Sequence, residues 1–361
     1  MIEIIKIDNF KGLKKLEISN LPKISIFGGK NNAGKSSLIE AIFYCLDREN
    51  PLLLNRHFEF RATPTPNVIT EDYFSPIFHN FNLEKLIQIE ISGSKILKNQ
   101  FEIEFIRNYN KNRDSSIKDN PLLRSIAKTS QGTMAVSLTH KVNSKLCQKT
   151  IISAIGPANL NIDKQVSINT QSIEARFLSS NRRSNYSDEC EKFGILDKNN
   201  KKDTYISLIK NFDSRITDAS VISINQVPLL HVGMHGLNKK IPIAYAGDGL
   251  NSLSSIILCI LSSNNSIILI DEIENGIHYS MHKTFWEAIS MSMDYTNSQL
   301  ITTSHSKEMI IAANSVFQIN KPEHFKYYRL NNNDDANSLS RITEYSSEEI
   351  SQSIDFDMEI R

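Results

Sequence analysis

Apolar and polar positions alternate from the first residues. Met1-Ile2-Glu3-Ile4-Ile5-Lys6-Ile7 repeats with the period of a half-buried strand, so residues 2–7 are predicted as a first strand. Leu16 to Ile18 and Lys23 to Phe27 are two further short strand candidates. A helical period follows, with Leu38, Ile39, Ile42 and Leu46 on one face, and predicts a helix over 35–46 that Asn50-Pro51 closes. Residues 61–70 contain Pro64, Pro66 and several threonines and read as a loop.

Ile87 to Ile91, Phe101 to Ile106 and Met134 to Leu138 read as strands of an antiparallel sheet, with the polar stretch Asn108 to Asn120 as a loop tip. Residues 180–205, with Asn181, Arg182, Arg183, Lys198, Lys201 and Lys202, read as exposed, and a helix is expected near Tyr205 to Asp213. From Ile241 the texture changes. Leu250 to Leu261 reads as an apolar helix and Ser266 to Ile270 as a buried strand. Met281 to Met293 reads as a helix, Gln299 to Thr302 as a strand, Glu308 to Ala313 as a helix, and Asn331 to Asn337 as an Asn/Asp-rich loop. The class expected is α/β. No internal repeat and no sustained heptad is present, which excludes long coiled-coil arms.

Composition narrows this only slightly. The chain has 361 residues, long enough for one large domain with a proper core. Lys plus Arg is 41 against 40 for Asp plus Glu, so charge does not demand a nucleic-acid partner, although a local patch remains open. No run approaches the roughly 18 apolar residues of a membrane helix. The N-terminus carries acid early, unlike a signal peptide. The four scattered cysteines, Cys45, Cys147, Cys190 and Cys259, form no C-x-x-C pair and read as idle thiols of a cytoplasmic protein.

Chemistry concentrates in four places. Gly29-Lys30-Asn31-Asn32-Ala33-Gly34-Lys35-Ser36 fits G-x-x-x-x-G-K-[ST] in full. Its glycines let backbone N–H groups wrap phosphates, Lys35 reaches the β- and γ-phosphates, and the Ser36 hydroxyl suits Mg²⁺; ATP with Mg²⁺ is the expected occupant. Ile267 to Ile270 is an apolar strand that ends in Asp271-Glu272, at the sheet end where α/β proteins bind ligands. Asp271 suits a Walker B role on Mg²⁺, and Glu272 a general base that orients the attacking water. Thr302-Thr303-Ser304-His305-Ser306 follows another strand, and His305 is a candidate γ-phosphate sensor. Gly247-Asp248-Gly249 opens a helix, either as a plain turn or as a presenter of N–H groups to phosphate.

In this order the parts resemble the ABC-type ATPases of the RecF/SMC/OLD group, OLD meaning overcoming lysogenization defect, a phage-defence family. Ile7-Asp8-Asn9-Phe10-Lys11 is similar to the first strand of that group, and the P-loop with Ser37 to its usual P-loop. Asp271-Glu272-Ile273-Glu274-Asn275-Gly276-Ile277-His278 resembles its Walker B and D-loop segment, and Thr303-Ser304-His305-Ser306 its switch. The resemblance covers residues 1–50 and about 240–320. It implies an ABC-type P-loop NTPase head with a mixed central sheet, an antiparallel β lobe and a helical insertion. The sub-regions expected within a single domain over 1–361 are a P-loop half (1–60), a β-rich lobe (61–175), a helical and polar insertion (176–240), a signature, Walker B and switch half (241–320) and a C-terminal segment (321–361).

The resemblance also implies that two heads dimerise around ATP, with Gly247, Asp248 and Gly249 contacting in trans the γ-phosphate held by the other head. Those residues depart from the usual Ser-Gly-Gly signature. Gln171 and the segment Phe177 to Arg182 are alternatives for the Q-loop. Full OLD nucleases resemble this ATPase followed by a Toprim nuclease, whereas this chain ends 56 residues after His305. The expectation is a stand-alone head that controls a separately encoded effector, a nuclease or toxin-like protein, in phage defence. The alternatives are a RecF-like ATP-dependent DNA clamp and an ATP-holding scaffold without turnover. His278 and His282, spaced i, i+4, have no evident third metal ligand, and Phe285 and Trp286 read as core packing.

Overall fold

The computed structural model describes the chain except residues 49, 51, 62, 66–68, 95, 110–132, 156–158, 167–172, 181–185, 332–339 and 356–361. Arg182, Arg183, Gln171, and nearly all of the expected loops 108–120 and 331–337 fall outside the described residues.

An antiparallel sheet forms first. Strands β1 (Ile4–Phe10) and β2 (Leu13–Ile18) make a hairpin, and β4 (Ile87–Gly93), β5 (Ile96–Tyr109), β6 (Thr133–Val142), β7 (Lys145–Ile155) and β8 (Asn159–Val166) extend it in the order β2-β1-β4-β5-β6-β7-β8. The second sheet runs β16-β15-β3-β14-β13-β9, built from β3 (Ile24–Gly28), β9 (Ala175–Leu178), β13 (Ile267–Ile270), β14 (Gln299–Thr303), β15 (Phe325–Asn331) and β16 (Arg341–Tyr345). Its pairings are parallel except that of β15 with β16. A small sheet of β10 (Ile216–Ile224), β11 (Val227–Met234) and β12 (Ile241–Pro242) completes the set.

The second sheet is covered on both faces, which explains why Ile267 to Ile270 lacks polar positions. Ile267 and Leu269 join the core that contains helix α1 (Lys35–Leu46) and the antiparallel sheet. Ile268 and Ile270 join the opposite core, shared with helices α4 (Tyr186–Lys198), α5 (Lys202–Phe212), α6 (Asp248–Leu261), α7 (His282–Asp294) and α8 (Lys307–Asn320). Helix α1 lies between the two sheets and is buried nearly all round. Ahead of α4, short helices α2 (Arg56–Phe60) and α3 (Glu71–Phe74) pack beside α1, where Phe58 and Tyr73 enter the same core.

One expectation is corrected. The polar stretch 180–205 is not simply exposed, because its described part contains α4, in which Glu189 and Lys192 are buried beside Cys190, Phe193 and Leu196. Ser255 of α6 hydrogen-bonds to Glu189 through one carboxylate oxygen, and Lys192 Nζ pairs with Asp188 at 2.6 Å, so both charges enter the interior with polar partners. Phe285 and Trp286 are core residues, and the Trp286 indole donates to the Met309 carbonyl at 3.0 Å. Among the described residues no helix is long and apolar enough to cross a membrane.

Candidate functional site

The parallel sheet sets three chain segments level. β14 lies between β3 and β13, with Thr303 opposite Phe27 and Thr302 opposite Ile270. The turns that leave the C-terminal ends of these strands therefore converge, as ligand sites in open α/β sheets do.

After β3 the chain needs backbone that side chains disfavour. Gly29 has φ +133, and a Cβ there would come within 2.3 Å of the Leu330 carbonyl oxygen. Gly34, with φ +94, would drive a Cβ to 2.6 Å from Leu13. Asn32 is also left-handed at φ +65, and Ala33 is buried between them. These conformations turn the loop into a concave row leading to the N-terminus of α1. Asn31 and Asn32 are exposed. Ser37 is buried, and its hydroxyl lies 3.4 Å from the Gly12 N–H of the β1–β2 hairpin.

Lys35 folds back into the loop and donates to the carbonyls of Gly29 at 2.7 Å and Lys30 at 2.8 Å. Burial pushes its pKa down to about 8, opposed by the charges of Asp271, Glu272 and Glu274. Ser36 Oγ donates to Asp271 Oδ1 at 3.1 Å, and Thr303 Oγ1 donates to the same oxygen at 2.7 Å. Burial raises the pKa of Asp271 and these two hydroxyls lower it, so a cation beside the carboxylate would offset the cost of keeping it charged. A hydroxyl and a carboxylate 3.1 Å apart are hard oxygen donors that fit Mg²⁺.

Glu272 is held in left-handed backbone at φ +51, an uncommon state for its type. Its N–H donates to Thr303 Oγ1 at 2.7 Å, and the next N–H, of Ile273, to the Thr303 carbonyl at 3.0 Å. The carboxylate accepts from Asn275 Nδ2 at 2.7 Å through Oε2, while Oε1 lies 3.9 Å from His305 Nε2. The His305 N–H donates to Glu274 Oε1 at 2.5 Å. Ser306 then caps α8 by accepting from the Met309 N–H at 3.1 Å.

The structure thus brings Lys35, Ser36, Asp271, Glu272 and His305 together. It places Gly247, Asp248 and Gly249 elsewhere. They open α6, Gly247 at φ +115, beside a depression of about 360 Å³ that includes Phe212, Arg215, Gly276 and His278 but no P-loop residue. His278 and His282 bond locally to Ser280 and to the Ile277 carbonyl, and no group of three or more His, Cys, Asp or Glu among the described residues could hold a metal. Thr303, Glu274 and Asn275 are site residues to which sequence reasoning assigned no role. Their signal was membership of the segments that resemble the Walker B and D-loop stretch and the switch.

Residues 5–241 match the family described as AAA domain. This chain belongs to the AAA domain family. The match takes in the P-loop and stops before Asp271. This AAA domain protein is 24% identical over 336 residues to an ATP/GTP phosphatase of Helicobacter pylori, covering 86% of each chain. A stretch of 42 residues is 55% identical to an uncharacterized protein of Methanocaldococcus jannaschii, covering 12% of this chain and 19% of that one. Among solved structures it resembles an Smc head bound to the C-winged helix domain of ScpA, with TM-score 0.52, 14% identity and coverage of 96% and 98%. It also resembles an Smc head with an extended coiled coil bound to the C-terminal domain of ScpA from Pyrococcus furiosus, with TM-score 0.51, 11% identity and coverage of 99% of each chain. The AAA domain protein therefore has the α/β fold of the Smc heads, with its mixed and antiparallel sheets and helices.

Proposed function

We propose that this chain binds ATP with Mg²⁺ and hydrolyses it to ADP and phosphate. The observation that carries the reading is the bond from Ser36 to Asp271, shared with Thr303, which ties the P-loop to the ends of β13 and β14. Lys35 exchanges the Gly29 and Lys30 carbonyls for phosphate oxygens on binding. Ser36 and Asp271 would hold Mg²⁺, which supplies charge neutralisation at the phosphates. Glu272 orients water and takes its proton as the water oxygen bonds to the γ-phosphorus and the bond to the β–γ bridging oxygen breaks. His305 stands beside Glu272, where it can follow the γ-phosphate.

Two copies engage around the nucleotide, with the Gly247–Gly249 turn of each contacting the γ-phosphate held by the other. The exposure of Gly247 and Asp248, away from their own P-loop, supports this. The output is control of a separately encoded effector, in phage defence as in OLD-like systems. The resemblance of the motifs to that group supports it, as does the partner domain named with the Smc heads. The name of the Helicobacter pylori relative makes GTP the second nucleotide to assay.

Glu272→Gln tests the reaction. Nucleotide binding should persist, turnover should fall about 10²- to 10⁴-fold, and a dimer should accumulate with Mg-ATP. Wild-type turnover would remove Glu272 as the base. Capture on the Glu272→Gln protein from its host, with Mg-ATP, tests the output. A stoichiometric nuclease or toxin-like protein supports effector control, and DNA with recombination factors points to a repair clamp instead.

A further inference from the structure

The loop after β13 contains a residue whose side chain contacts the candidate base and whose backbone is held by another helix. Asn275 Nδ2 donates to Glu272 Oε2 at 2.7 Å. Ser252 Oγ, one turn into α6, donates to the Asn275 carbonyl oxygen at 3.2 Å, and the Asn275 N–H donates to the Glu272 carbonyl at 3.0 Å. Gly276 follows at φ +80 against Asp248, and a Cβ on Gly249 would lie 3.4 Å from the Gly276 carbonyl oxygen. The amide is thus fixed at both ends of its own peptide before it reaches the carboxylate.

Glu272 needs such a partner. Its backbone is left-handed and its side chain is one-third exposed, so packing alone does not select a rotamer. With Oε2 held by the amide, the carboxylate plane is set, and Oε1 lies on the His305 side, 3.9 Å from Nε2.

We propose that Asn275 is a positioning residue for Glu272: its amide holds one carboxylate oxygen so that the other faces the attacking water, and its carbonyl ties that alignment to α6. This rests on the reading of Glu272 as the base. Asn275 touches neither nucleotide nor water in this scheme and acts only through Glu272.

Steady-state ATPase kinetics on the full chain test it, with nucleotide affinity and melting temperature measured on the same preparations. Asn275→Ala should lower kcat about 10- to 100-fold and leave KM and nucleotide affinity within about twofold. Asn275→Asp keeps the shape of the side chain but sets a like charge against Glu272, so it should be slower than Asn275→Ala. A structural role alone predicts the opposite order, because the isostere packs as asparagine does. Unchanged kcat in Asn275→Ala, a KM that moves with kcat, or Asn275→Asp as fast as wild type would each overturn the proposal. Glu272→Gln is the control. If it loses turnover while Asn275→Ala keeps it, the positioning role alone falls. If Glu272→Gln turns over normally, the base assignment falls and this proposal with it.

Discussion

Two glycine-rich turns open helices in this chain, and they differ in how much of their surroundings the chain supplies. The turn before α1 is enclosed: Leu330 lies against Gly29, Leu13 against Gly34, and Lys35 is paired twice inside the loop. The turn before α6 is open. No atom lies within 4 Å of a Cβ built on Gly247, and Tyr245 next to it is 80% exposed. Both present helix N-termini suited to anions. One is finished within the chain, and the other is the turn that the proposed dimer completes across the two copies.

The sharpest way to break this contrast is Gly247→Ala, which strains a φ of +115 without creating a clash. Turnover should fall about 100-fold, since the strain displaces N–H groups that the proposed dimer aims at the γ-phosphate, while the affinity of the isolated chain for nucleotide stays within about twofold. Equilibrium binding beside kcat decides it, and a matching loss of affinity would show that the two turns serve one site in one chain. Lys35→Ala should do the reverse, weakening nucleotide affinity about 10- to 100-fold by removing a charge-assisted contact, as read by titration calorimetry. Mixing the two variants in equal amounts, at an ATP concentration too low to fill the Lys35→Ala site, should restore about a quarter of wild-type turnover, because half the dimers are mixed and each has one intact composite site. Silence in the mixture would remove the dimer.

The enclosed side can also be stressed alone. Burial holds His57 neutral with its pKa down to about 4 and His140 down to about 3, both below the usual histidine value near 6.5. The unfolded chain therefore binds more protons below pH 6.5. Stability is full above that pH and is lost as pH falls toward 3, by about 1–3 kcal/mol per histidine. Thermal melts at pH 7 and pH 4.5 should show the drop, and His140→Gln should lessen it.

Much of the enclosed site was legible in the sequence because its chemistry is local. The P-loop is contiguous, and α1 begins at Lys35 and ends at Leu46 as its apolar period predicts. Asp271-Glu272 stands out because β13 is wholly apolar. The partners that align these groups were not legible. Thr303 bridges Asp271 and the Glu272 N–H across 31 or more positions, and a threonine at a strand end carries no mark of that duty. Strands β7 and β8 escaped because Lys145–Ile155 and Asn159–Val166 mix polar residues on both faces near a sheet edge. Helix α4 escaped because its buried Glu189 and Lys192 look like surface until their partners are known.

The neighbours of β3 set an order of assembly. It leads into the P-loop, yet its two partners in the sheet are β14 and β15, whose residues 299–303 and 325–331 are made nearly three hundred positions later. During synthesis the β1–β8 lobe has its strands long before the sheet under the nucleotide has its middle. A nascent chain therefore carries the P-loop sequence without a walled pocket until β14 and β15 have left the ribosome.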